Sequence, residues 1–102
     1  MTSIKDITEG RWAIILKHDI GYASKLLKYL NSARELNVSN RSQFHAPTYY
    51  IRLHNGIPVG RNGDTEESAM RILTRDYPLY KQVLFEDINF NDYSVPQELF
   101  DF

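Results

Sequence analysis

The sequence predicts a small single α+β domain in which a strand, a helix, a hairpin and a second helix follow one another, with a short C-terminal strand or arm. Three observations predict it. Residues 11 to 17, "RWAIILK", form a β-branched and aromatic run that is apolar on both faces. Apolar residues recur at three- and four-residue steps between 20 and 36. Between 48 and 59 an Asn-Gly pair interrupts an alternating apolar stretch.

Each element has its own reason. In the first strand Trp12, Ile14 and Leu16 share one face and Ala13 and Ile15 the other, the pattern of a central strand covered on both sides. Asp19 stands where a helix N-cap belongs, and Ile20, Ala23, Leu26, Leu27, Leu30, Ala33 and Leu36 give an apolar stripe over 20–36, backed by Lys25, Lys28, Ser32 and Glu35. Asn37 suits the C-cap, and the polar residues 37–47 read as a loop. Strands are expected at 48–53 and 57–59, joined by a type I′ turn at Asn55-Gly56, with Pro58 confined to a sheet edge. Asp64 and Glu67 form a capping-box pattern that opens a helix over 65–76, and Tyr77-Pro78 closes it. A strand near 82–86 and a last helical turn or arm complete the chain. The helices are expected on one face of a small antiparallel or mixed sheet. The domain spans 1–102, and residues 94–102 form an acidic aromatic C-terminal arm.

Composition narrows the function classes. With 102 residues and no cysteine, the chain is long enough to bury a core without staples, and it holds no disulfide framework or thiolate nucleophile. No apolar run approaches the ~20 residues of a bilayer crossing, and "MTSIKDITEG" lacks a secretion signal, so no membrane partner is expected. The charge is uneven. Residues 1–81 hold all twelve Lys and Arg against eight acids, whereas 82–102 hold Glu86, Asp87, Asp92, Glu98 and Asp101 and no cation. Phe85, Phe90, Tyr93, Phe100 and Phe102 lie in the same acidic stretch, too aromatic for a disordered tail. The stretch is expected to dock on its own domain, on a neighbouring subunit or on a partner.

Candidate chemistry is sparse. "GRNG" at 60–63 invites a phosphate-loop reading, but Asp64, Glu66 and Glu67 follow it and the Lys-Ser/Thr pair of such loops is absent, so it reads as a turn into a helix. His18, His45 and His54 are scattered without metal-ligand spacing; His18, Asp19 and His45 could meet only if the long loop folds back. No serine sits in a nucleophile elbow. Neither catalytic, metal nor cofactor residues are therefore assigned, and the chain is read as not an enzyme. Arg41, Arg52, Arg61, Lys25 and Lys28 with Tyr49 and Tyr50 could form a nucleic-acid surface, but the cations are not clustered and nucleic acid is not the expected partner.

"YYIRLHNGIPVG", followed by "EESAMRIL", "DYP" and "VPQELFDF", resembles a module of small bacteriophage virion and tail-associated structural proteins, over about residues 49–102. In that module a Tyr-x-Ile-Arg-Leu-x-Asn/Asp-Gly-x-Pro hairpin precedes a short acidic-started helix and a Phe-containing end. Two departures stand out: the module usually opens its chain, whereas a strand and long helix precede it here, and "GRNG" is not part of the pattern. The resemblance implies a structural or assembly role in the virion, reached by assembly in the host cytoplasm, and brings no catalytic residue with it. The expected function is thus non-enzymatic protein–protein interaction and assembly, with copies of the chain or other structural proteins as partners. Phe90, Tyr93, Leu99, Phe100 and Phe102 of the arm and Arg52, His54 and Arg61 of the hairpin are the expected contact residues. A small inhibitor or accessory factor binding a host enzyme is the alternative reading, and a nucleic-acid-binding module the third.

Overall fold

The computed structural model describes residues 2–26 and 48–89, and it is an α+β fold. Strand β1 (Thr2–Ser3) and the one-turn helix α1 (Ile4–Ile7) lead into β2 (Arg11–Ile15). Helix α2 begins at residue 20 and is described to 26. The hairpin β3 (Tyr50–His54) and β4 (Ile57–Asn62) precedes α3 (Glu66–Asp76), β5 (Lys81–Leu84), a 3-10 turn (Phe85–Asp87) and β6 (Ile88–Asn89). The loop expected at 37–47, the later part of the first long helix and the arm at 94–102 lie outside the described residues.

The main sheet has the order β4-β3-β2-β5. β2 pairs antiparallel with β3, placing Ile14 opposite Ile51, and parallel with β5, placing Ile14 opposite Val83. β1 and β6 form a separate parallel pair. As its two-sided apolar pattern requires, β2 lies inside the sheet. One face buries Ile14, Leu16, Ile51, Leu53, Val83 and Phe85 against Ala23 and Leu26 of α2, together with Ile7 and Ile88. The other buries Ala13, Ile15 and Tyr50 against Ala69 and Leu73 of α3.

The two helices therefore cover opposite faces, not one. The reason lies in β2 itself: with Ala13 and Ile15 fully apolar, a second uncovered face would leave them in water at a cost of ~1 kcal/mol or more each. The alternation thus demands a helix on either side.

Other boundaries shift for local reasons. β4 runs on through Gly60, Arg61 and Asn62, so the break expected at Gly60 falls at Gly63 instead. Within it Leu53 opposes Pro58 whereas Arg52 opposes Gly60, which makes Val59 the extra residue of a β-bulge. The N-cap of α3 is Thr65, whose hydroxyl accepts from the Ser68 N–H at 3.4 Å, and not Asp64, whose own N–H donates to Asn62 Oδ1 at 2.7 Å. Asp19 caps α2 as expected, its carboxylate accepting from the Tyr22 N–H at 3.1 Å. The turn residues Asn55 and Gly56 have φ of 52° and 79°, the type I′ geometry. Asn55 is also tied to the residue before β2: its N–H donates to the Gly10 carbonyl and its Oδ1 accepts from the Gly10 N–H, both at 2.8 Å.

Candidate interaction surface

Both ends of the central strand gather ionisable and aromatic side chains. At the carboxyl end of β2 the chain bends through Lys17 and His18, with φ of 53° and 63°, a left-handed conformation uncommon for residues other than glycine. The bend is held in place. Leu16 and Lys17 both donate to the Tyr49 carbonyl, at 2.7 and 3.1 Å, and His18 N–H donates to the Thr48 carbonyl at 3.0 Å.

The side chains there are spent on the fold as well. Lys17 Nζ meets Glu86 at 3.0 Å, and the Tyr22 hydroxyl donates to the same carboxylate at 3.4 Å while its ring stacks on Phe85. The pairing with Glu86 holds the Lys17 ammonium above its ordinary range. His18 Nε2 donates to the Asp64 carbonyl at 2.8 Å, and its ring meets Tyr49 edge-on. Tyr49 is pushed up by burial and then by Glu66 beside it. This end is where open α/β sheets commonly hold ligands, but here its polar groups tie the first crossover to the start of α3. Glu86 brings part of the acidic final segment onto the basic body, and Phe85 brings one of its rings into the core.

Among the described residues the opposite end is open. Where β2 begins, Arg11 pairs with His54 and the hairpin turn stands beside the end of α3. Tyr77 stops α3, its N–H donating to the Leu73 carbonyl, and the Tyr80 N–H closes a turn onto the Tyr77 carbonyl at 3.2 Å. Pro78 is suited to the second position of that turn and leaves Leu79 pointing out, 71% exposed. Tyr77 and Tyr80 meet edge-to-face with centroids 5.9 Å apart. The Arg52 guanidinium lies 3.7 Å from the Tyr77 centroid and 5.4 Å from that of Tyr80. Arg11, His54, Asp76, Tyr77, Pro78, Leu79 and Tyr80 enclose a groove of about 280 Å³. Ile57, opposite His54 in the hairpin, is 45% exposed at its margin.

The groove carries net positive charge. Asp76 is bound to Arg75 at 2.8 Å, which holds its carboxyl below the usual range. Among the described residues neither Arg11 nor Arg52 forms an ion pair.

Of the expected contact residues, His54 lines this groove, whereas Arg52 is not part of its lining but stands half-buried with its guanidinium over Tyr77, which does line it. Arg61 stands opposite Ile51 and so belongs to the other face of the sheet. Phe90, Tyr93, Leu99, Phe100 and Phe102 lie outside the described residues. Arg11, Tyr77, Leu79 and Tyr80 were not expected as contact residues; the available signal was "YPLY", a leucine between two tyrosines in a proline turn. Tyr49 and Tyr50 are buried, so they offer no ring face for stacking bases. Gly60 accepts the Arg52 guanidinium over its Cα, where a Cβ would collide with it. It needs room and not a positive φ. Among the described residues there is no group of three metal-ligating side chains, and no helix is long and apolar enough to cross a membrane. No protein-family model, curated protein or solved structure matches the chain, so the arrangement of its own side chains is what supports a function.

Proposed function

We propose that this chain is a non-enzymatic protein–protein interaction and assembly domain that contacts its partner through the groove at the hairpin end, in the setting of a phage virion. One observation carries the reading: Leu79 stands 71% exposed between two tyrosines and beside two arginines that have no ion pair among the described residues. Tyrosine and arginine dominate the energetics of protein interfaces, and an apolar side chain in a rigid turn loses little entropy when a partner covers it. A solvent-facing leucine alone would be ordinary; its place in a preformed aromatic and cationic groove is what favours contact. The virion setting rests on the hairpin resemblance.

The test is a Leu79→Glu exchange. The variant is expected to keep its melting temperature, because the side chain is outside the core, and to lose incorporation into particles and retention by particle proteins. Unchanged incorporation and retention would defeat the reading. Retention of one stoichiometric host enzyme, with loss of that enzyme's activity, would favour the inhibitor alternative.

A further inference from the structure

The groove's chemistry also says what it would take. Its walls are tyrosine rings, a proline and a leucine, its lining cation is Arg11 with the Arg52 guanidinium stacked on the Tyr77 ring, and its one acid is already bound to Arg75. The complement is an extended segment with apolar rings and unpaired carboxylates. Residues 90–102, "FNDYSVPQELFDF", have that composition: Phe90, Tyr93, Phe100 and Phe102 with Leu99, accompanied by Asp92, Glu98 and Asp101, and no cation.

Resting on the interaction reading above, we propose that the groove of one copy receives residues 90–102 of a second copy, so that copies associate head to tail. The carboxylates would meet the guanidinium groups, which bind them in a planar two-point geometry, and the rings would pack beside Leu79 and Tyr80. A second copy is favoured over the same chain by direction: β5 starts at the groove end and runs away from it, so that Glu86 meets Lys17 at the opposite end of β2, and a second copy's segment reaches the groove without retracing that length. Groove and segment are different patches, so the contact is heterologous. Such contacts propagate into rings or filaments instead of stopping at a dimer.

The experiment is sedimentation velocity on the full chain over a concentration series, at low and high salt, with thermal melts confirming that each variant is folded. Wild type is expected to associate progressively and to weaken as salt rises, since opposite charges meet at an exposed rim. Arg11→Glu in the groove and a Phe100→Ala, Phe102→Ala double exchange in the segment should each weaken association roughly tenfold or more. Mixed one to one, the two variants should form a dimer and nothing larger, because only one intact groove and one intact segment remain per pair. Asp101→Lys combined with Arg11→Glu should recover association that either exchange alone loses. A wild-type chain that stays monomeric throughout, as it would if the segment occupied its own groove, overturns the proposal, and so does a mixture that fails to pair. If Arg11→Glu abolishes particle incorporation while the double phenylalanine exchange does not, the groove remains a contact site and this occupant alone is excluded.

Discussion

The two ends of the β2 strand hold much the same kinds of side chain and use them in opposite ways. At the carboxyl end Lys17, His18, Asp19, Tyr22 and Glu86 are engaged with one another or with backbone carbonyls and amides, and two residues accept left-handed backbone to make this possible. At the amino end Arg11 and His54 face outward, and Leu79 is exposed. A histidine beside tyrosines and a carboxylate is therefore not by itself a site. The distinction lies in whether the polar atoms are already spent on holding crossing points of the chain together.

The sharpest way to break the contrast is to delete one apolar side chain from each end. Phe85→Ala should cost about 3–5 kcal/mol, because the side chain is buried under Tyr22 and leaves a cavity, whereas Leu79→Ala should stay within about 0.5 kcal/mol. Urea unfolding of both variants decides it, and equal losses would mean that the groove end is as much part of the core as the other.

Asn55→Ala is expected to cost about 1–2 kcal/mol, since it removes both an acceptor for the Gly10 N–H and a residue that tolerates φ of 52°. Gly60→Ala should cost about 1 kcal/mol, by lifting Arg52 from Tyr77, and should weaken partner binding more than its effect on stability implies. A binding loss no greater than the loss of folded protein would place Arg52 outside the contact.

The smallest effect concerns alkaline pH. Burial raises Tyr49 and Tyr50 above the ordinary tyrosine range, so the unfolded chain gives up these protons first. Their contribution is fully present below about pH 10 and is lost as pH rises through the folded values. The denaturation midpoint should fall as pH rises above about 10, and Tyr50→Phe should flatten that decline.

Much of the frame was legible in the residues. The alternation in "RWAIILK" foretold a strand buried on both sides, Asp19 foretold its cap, and Asn55-Gly56 foretold the turn, because each is a local rule with a local cause. What was not legible depended on distant pairs. The two-sided pattern of β2 calls for a helix on either face, but which of α2 and α3 takes which face follows from the crossover that sets β5 beside β2, and nothing within either helix encodes it. The extension of β4 through Gly60 to Asn62 depends on its pairing with Arg52, Ile51 and Tyr50 of the neighbouring strand. The groove, too, arises only when "DYPLY" meets Arg11 and His54 across the sheet, so the hairpin cations were visible in advance and their aromatic counterparts were not.

The bulge at Val59 has a consequence for how copies of this chain can meet. A free outer strand is a template on which another chain can add itself indefinitely, the route to cross-β aggregates. Pro58 offers no N–H along the rim of β4, and the extra residue breaks the regular repeat that an incoming strand would have to match. With exposed Ile57 and Val59 on either side of that proline, an unbroken strand would be a hazard; interrupted as it is, the hairpin resists zipping to another copy even at high concentration.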